Sequence, residues 1–182
     1  ALGVDASGFS RVFISGAGTV ANAFSIAGNG WIEGAGQLGA LRLSSGSILT
    51  GAIGITADAR MTVNNGGVAT ISGPISGAFS LELGEDTAAG TLNLNGPHTY
   101  TGSTTISFGV LNLGGTLTSN VINNATLAPQ VTPSTSGSLT NNGTYRVRLN
   151  AGSNDRLTVA TTVTLGGTLD LVPAVGLSIG SS

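Results

Sequence analysis

Few side chains in this sequence could carry out acid–base or nucleophilic chemistry. His98 is the only histidine, and the ten residues on either side of it contain no acid. A catalytic histidine needs a group that orients it, and a serine triad would have to use this one imidazole. We therefore interpret His98 as a surface residue at a bend, not as a base. Because the chain has no cysteine, disulfides and cysteine zinc sites are excluded.

The acidic residues form no recognisable catalytic or metal-binding motif. Glu82 alternates with Leu81 and Leu83 and is expected to point outward, whereas Glu85 and Asp86 are typical of a solvated turn. Asp155 and Arg156 are expected to form a weak ion pair in a surface turn. The sequence does not place two acids on one face at the separation that sugar cleavage requires. The acids considered are Asp5, Glu33, Asp58, Glu82, Glu85, Asp86, Asp155 and Asp170.

A glycine motif of the dinucleotide-binding type occurs once. Residues 34–39 satisfy G-x-G-x-x-G, and Asp58 lies near the position expected for a ribose-binding acid. Such a site requires a helix that begins at the last glycine, but residues 40–44 have the alternation of a strand. We therefore assign no cofactor site to the motif, and we predict no catalytic, cofactor-binding or metal-binding residues.

Composition excludes further classes of function. Only 8% of the 182 residues are charged and all six basic residues are arginine, giving a formal net charge of −2. Such a chain offers no basic surface for nucleic acid. It has no run of about 18 apolar residues that could span a membrane as a helix. The amino end shows no leader sequence, and we expect the chain to be a segment of a longer protein.

Short alternating segments recur along the whole chain. They read apolar, polar, apolar, which is typical of a strand with one buried face. Glycine and asparagine separate them, for example at residues 28–30, 64–67, 95–97 and 141–143, and both residues tolerate the backbone of tight turns. Aromatic residues make up only 4% of the chain, which disfavours a sandwich with an aromatic core. The pattern predicts an all-β chain that forms a parallel β-helix (β-solenoid) of roughly nine coils at about 20 residues each, with asparagine or threonine ladders at the bends.

Residues 91–115 resemble the passenger-associated transport repeat of bacterial autotransporters, which are type V secretion proteins. Three positions depart from the repeat: His98 stands where it usually has Asn, Ser103 where it has Gly, and Phe108 where it has Ala. Leu92 and Leu94 belong to its first strand. The residues that match position by position are Thr99, Tyr100, Thr101, Gly102, Thr104, Thr105, Gly109 and Leu111.

Alternation within this segment also predicts the direction of its side chains. Leu92, Leu94, Ile106, Leu111 and Leu113 should point into the core. Gly102 and Gly109 should allow the backbone to turn. Tyr100 should cover a bend and form a hydrogen bond through its hydroxyl group.

Residues 142–173 are similar to the late part of a pertactin-like passenger, before the autochaperone region and the membrane barrel. The matching stretches are residues 143–147, 153–159 and 165–169. Together the two resemblances imply that residues 1–182 are a single right-handed β-helix segment of a longer passenger. They also imply export to the bacterial cell surface, anchored in the outer membrane or secreted, with the parent protein's own C-terminal outer-membrane β-barrel as a partner.

The functional expectation is a non-enzymatic stalk segment of an adhesin or virulence-related passenger that supports export and folding. One alternative is a module that associates with itself or binds host glycans, for which Trp31, Tyr100, Phe108 and Tyr145 are the aromatic candidates. A glycan-cleaving β-helix enzyme is a third alternative. A solenoid that folds by propagation could use the repeat as a stable nucleus that templates the remaining coils.

Overall fold

The structure, a computed structural model, describes residues 2–3, 11–30, 32–33, 36–84, 89–130, 132–150 and 152–174. These residues form strands and turns and contain no helix, so none of them forms a membrane-spanning helix. The strands are β1 Leu2–Gly3, β2 Val12–Ile14, β3 Gly18–Val20, β4 Phe24–Gly28, β5 Ile32–Glu33, β6 Gly36–Gln37, β7 Leu41–Leu43, β8 Ser47–Leu49, β9 Ile53–Val63, β10 Val68–Ile71, β11 Ile75–Gly77, β12 Leu81–Leu83, β13 Thr91–Leu94, β14 Pro97–His98, β15 Thr104–Ile106, β16 Val110–Leu113, β17 Thr116–Leu117, β18 Val121–Asn123, β19 Thr126–Pro129, β20 Ser134–Thr135, β21 Leu139–Asn141, β22 Thr144–Leu149, β23 Thr158–Val159, β24 Val163–Leu165 and β25 Thr168–Pro173.

The strands wind into a parallel β-helix, as predicted, and the structure shows that it has three faces. Each turn of the chain adds one strand to each face, and β9 is long enough to contribute to faces 1 and 2. Face 1 stacks β1, β4, β9, β11, β14, β17, β20 and β23. Face 2 stacks β2, β7, β9, β12, β15, β18, β21 and β24. Face 3 stacks β3, β8, β10, β13, β16, β19, β22 and β25. The hairpin β5–β6 is antiparallel.

The turns of the solenoid differ in length. One turn takes 23 residues from Thr70 to Asn93, 19 from Asn93 to Asn112, and 18 from Asn123 to Asn141. The early turn that pairs Gly18 with Ser47 takes 29 residues, because the hairpin β5–β6 lies within it. Face 3 stacks eight strands, so the described residues make fewer turns than the roughly nine coils predicted.

Inward side chains stack in columns through the interior. Because the strands are parallel and in register, each inward residue lies directly above its counterpart in the next coil. The inner column of face 1 contains Phe24, Ile53, Ile75, His98, Leu117, Thr135 and Val159. On face 3 a column contains Ala69, Leu92, Leu111, Leu127, Tyr145 and Leu169. Each fully buried leucine or isoleucine contributes about 1.5–3 kcal/mol, so the columns stabilise the rod along its length.

A column of glycines forms the corner between face 3 and face 1. A Cβ atom at Gly73 would lie 2.1 Å from the carbonyl oxygen of Gly51, and one at Gly115 would lie 2.0 Å from that of Gly96. No side chain fits at such distances, so glycine is required for the coils to stack closely at this corner.

Removing one inward leucine tests this architecture. Leu94 is fully buried in β13, whereas Thr91 in the same strand points outward. We expect Leu94→Ala to lower the free energy of unfolding by about 2–5 kcal/mol because it leaves a cavity. Thr91→Ala should change it by less than about 0.5 kcal/mol. Chemical denaturation of both variants measures the difference. Equal effects would contradict the assignment of Leu94 as pointing inward and Thr91 as pointing outward.

Candidate functional site

The repeat-like segment, residues 91–115, supplies one full coil and begins the next. It contains β13 on face 3, β14 on face 1, β15 on face 2 and β16 on face 3. The five apolar side chains predicted to point inward are buried, which confirms that part of the prediction: Leu92, Leu94, Ile106, Leu111 and Leu113. Thr104 is also buried, while Thr105 points outward and Thr99 and Thr101 are exposed.

Two glycines of the segment occupy positions where a larger residue would clash with the preceding coil. Gly102 lies at the corner between faces 1 and 2, where a Cβ atom would be 2.1 Å from the carbonyl carbon of Phe79. Gly109 lies at the next corner, has a φ of +77° and would bring a Cβ atom 2.3 Å from the carbonyl oxygen of Gly90. The segment therefore requires glycine at both predicted turns.

Tyr100 lies inside the solenoid and anchors a buried polar cluster. Its hydroxyl is 2.5 Å from Oγ1 of Thr104, and that oxygen is 2.5 Å from Oγ of Ser119. Thr135 Oγ1 donates to the carbonyl oxygen of Ser119 at 2.6 Å. Burial raises the pKa of Tyr100 to about 12, so the phenol stays protonated at neutral pH. The predicted hydrogen bond of Tyr100 is confirmed, but the side chain fills the interior instead of covering a bend.

Sequence reasoning missed Ser119 and Thr135 as members of this cluster. Both lie in later coils than Tyr100, at sequence separations that depend on the irregular coil lengths. The missing signal was the register between coils, which brings these positions together in the structure. The cluster links three consecutive coils through hydrogen bonds in the core.

The interpretation of His98 as a surface bend residue is wrong. His98 is the second residue of β14 and its side chain is 1% exposed, in the column between Ile75 and Leu117. Its Nδ1 accepts a hydrogen bond from the backbone N–H of Ile75 at 3.3 Å, and its Nε2 has no partner. Burial lowers the pKa of His98 to about 4, so the imidazole is neutral at physiological pH.

Asparagines form ladders, as predicted, but these lie within strands as well as at the bends, where Asn142 donates to Asn124. The buried Asn123 donates from Nδ2 to Oδ1 of Asn141 at 2.6 Å, and Asn141 donates to the carbonyl oxygen of Gly166 at 2.7 Å. On the outer side of face 3, Asn112 donates to Asn93 at 2.8 Å. These bonds run between coils and satisfy polar groups that stacking would otherwise bury without partners.

Two acids line the same groove on the outer surface, an arrangement that the sequence did not reveal. Asp58 and Glu82 line this groove together with Asn29, Ser80 and Thr105. Glu82 points outward as predicted, and its two carboxylate oxygens bind different partners. Arg60 lies 2.9 Å from Oε2, and Ser107 donates to Oε1 at 2.6 Å.

Asp58 is also engaged at this groove, since its Oδ1 accepts the backbone N–H of Ser80 at 2.8 Å. The described residues contain no group of three or more acids and histidines that could hold a metal ion.

Asp155 does not pair with Arg156 in a surface turn. Its side chain is 3% exposed, and Oδ2 accepts from Nε of Arg148 at 2.6 Å. The loop after β22 folds back so that the backbone N–H of Arg148 also donates to this oxygen at 3.3 Å. The hydrogen bond raises the pKa of Arg148 above its usual value. Because a buried carboxylate requires such partners, this pair fixes the loop to its own strand.

Other predicted features fall in strands or outside the described residues. In the glycine motif, Gly36 and Gln37 form β6, and Leu41–Leu43 is strand β7 where a nucleotide site would need a helix. Gly34, Ala35, Glu85, Asp86, Asp5 and Trp31 lie outside the described residues. Of the aromatic candidates for glycan binding, Tyr100 is buried, Tyr145 packs against the core and Phe108 is 43% exposed. These three residues therefore do not line a common surface groove.

No protein-family model matches the chain, no curated protein matches its sequence and no solved structure matches it. The described geometry establishes a parallel β-helix.

The steric role of Gly102 gives a direct test. Gly102→Ala should lower the free energy of unfolding by about 1–3 kcal/mol, because its Cβ atom would collide with backbone atoms of the preceding coil. Gly152→Ala is the matched control, since no atom lies within 4 Å of a Cβ built at that position. Urea unfolding of both variants measures the effect. An unchanged midpoint for Gly102→Ala would show that the two coils do not approach as described.

Proposed function

We propose that this chain is a non-enzymatic stalk segment of a surface-exposed bacterial autotransporter passenger, with an adhesin or virulence-related role. The observation that carries the proposal concerns residues 91–115, the segment that resembles the transport repeat. They supply one coil of a continuous rod, and the matched glycines Gly102 and Gly109 occupy corners where a Cβ atom would clash with the backbone of the preceding coil. A rigid rod is what a stalk requires.

The solenoid architecture supports a role as a spacer. Eight stacked strands at about 4.8 Å give a rod of roughly 34 Å for this segment. Each coil is bonded to the coil before it and the coil after it, so length can increase by adding coils without redesigning the core. Such a rod would hold a functional tip away from the cell.

The same features suit export and folding at the bacterial surface. A chain without cysteine cannot be locked by a disulfide before it crosses a pore unfolded. The inter-coil cluster of Tyr100, Thr104 and Ser119 is a compact unit around which later folding could propagate. In this proposal the partner is the parent protein's own outer-membrane β-barrel.

The outer groove supports glycan binding as a second candidate function. Carboxylate, amide and hydroxyl side chains from successive coils line it, namely Asn29, Asp58, Ser80, Glu82 and Thr105, and such groups can hydrogen-bond sugar hydroxyls. Sugar cleavage fits the groove less well. Both carboxylate oxygens of Glu82 are already engaged, Oε2 by Arg60 and Oε1 by Ser107.

Self-association is the other alternative, and the carboxyl-terminal end of the described rod supports it. Its strands β24 and β25 expose apolar side chains, and Leu165 reaches 71% exposure. The exposed residues at this end are Val163, Leu165, Leu169, Leu171 and Val172. Sedimentation that depends on protein concentration, persists in salt and is abolished by Leu165→Asp would favour this alternative over a monomeric stalk segment.

A display assay tests the proposed function. In the parent protein, Gly102→Ala should reduce the amount of passenger at the cell surface several-fold, because the repeat-like coil cannot stack. Gly152→Ala should leave display unchanged. Surface labelling of intact cells, normalised to total protein, gives the comparison. Normal display of Gly102→Ala, in a protein whose purified segment is destabilised by the same change, would contradict a role of this coil in export.

A further inference from the structure

We propose that His98 makes the middle of the rod an acid-sensitive joint, at which protonation of the imidazole opens the coil that contains β14. This property belongs to the interior of the solenoid. It would operate whether or not the chain is an exported stalk.

The position of the ring leaves it no means of accepting a positive charge. Ile75 and Leu117 occupy the positions above and below His98 in the face 1 column. A Cβ atom at Gly96 would lie 3.1 Å from Cε1 of the ring, so the adjacent corner is also closely packed against it. The imidazole therefore sits in a tight, largely apolar part of the core.

The hydrogen bonds of the ring define its neutral form. Since Nδ1 accepts the backbone N–H of Ile75, the proton of the neutral ring resides on Nε2, which has no partner. Protonation would place a second N–H at Nδ1, facing the N–H of Ile75. Two donors would then oppose each other, and a buried cation would lack any acceptor.

No nearby charge in the described residues compensates for this cation. The elements that stack on β14 contribute Ile75 from β11 and Leu117 from β17 to the column. The nearest buried titratable group along the chain is Tyr100, whose hydroxyl is bonded to Thr104. The buried acid Asp155 precedes β23, three strands further along face 1, and is paired with Arg148. Desolvation is accordingly the cause of the lowered pKa of His98.

The sign of the pH effect follows from linkage. The folded protein binds this proton only near pH 4, whereas an unfolded histidine binds it near pH 6.5. The contribution to stability is therefore fully present above about pH 6.5 and is lost progressively as the pH falls toward 4. Between pH 7 and pH 5 the equilibrium constant for opening should rise about 20-fold.

Opening is expected to begin locally. Coils of a solenoid are bonded to their neighbours alone, so loss of one coil need not unfold the distant ones. The first amides to lose protection at pH 5 should be those of β11, β14 and β17. Hydrogen exchange, corrected for the intrinsic dependence on pH, would detect this pattern.

The test uses the single histidine of the chain. The constant for unfolding is measured in urea at pH 7 and pH 5 for the unaltered protein, for His98→Leu and for His98→Leu combined with Thr99→His. Leucine continues the column between Ile75 and Leu117, and Thr99 is exposed. Between pH 7 and pH 5 the unfolding constant of the unaltered protein should rise about 20-fold more than that of either variant. The acids and the chain terminus are common to all three proteins, so their contribution cancels in the comparison.

Two results would overturn the proposal. The first is a pH dependence of His98→Leu equal to that of the unaltered protein. The second is independent of whether the variants fold: an NMR titration of the unaltered folded protein in which the imidazole signals shift with a midpoint near pH 6.5. Imidazole signals that stay constant from pH 7 to pH 5 while the folded population falls would support the proposal.

Discussion

Parallel, in-register stacking of successive coils is the constraint on which the rest of this structure depends. Each strand bonds to the strand one turn earlier and to the strand one turn later, so a residue that points inward determines what lies above and below it. The leucine and isoleucine columns satisfy this requirement by shape and apolarity. The glycines at the corners satisfy it by leaving room, since any Cβ atom at Gly73 or Gly115 would meet the backbone of the coil before.

Stacking also decides how polar side chains can enter the core. Asn123 and Asn141 lie one above the other, and each finds a partner in the next coil. The hydroxyl of Tyr100 bonds that of Thr104 within one coil, and the hydroxyl of Thr104 bonds that of Ser119 in the next coil. An interior network whose polar groups are all hydrogen-bonded carries little free-energy cost and fixes the register between coils. His98 differs, because the Nε2 atom has no partner in the described structure. Most buried polar groups therefore stabilise the stack, whereas the contribution of His98 to stability depends on pH.

The sequence was sufficient to predict the features that depend on local alternation. Leu92, Leu94 and Leu111 alternate with polar residues and are buried as predicted, and Glu82 points outward for the same reason. Features that depend on contacts between coils could not be predicted from the sequence. His98 follows a proline in a two-residue strand, too short to show a period, and its burial is set by pairing with β11 and β17. Asp155 is buried because its loop folds back to Arg148. The coil count was overestimated because the hairpin lengthens one early turn.

The register between coils is the central claim, and disulfide trapping tests it most directly. The chain has no cysteine, so an introduced pair is the only one that can react. Asn93 and Asn112 are direct register partners on the outside of β13 and β16, whereas Asn93 and Val110 are diagonal. A disulfide requires Cα atoms within about 7 Å. The structure predicts rapid oxidation of the Asn93→Cys/Asn112→Cys pair and much slower oxidation of the Asn93→Cys/Val110→Cys pair. Equal rates, or faster reaction of the diagonal pair, would contradict the stacked register.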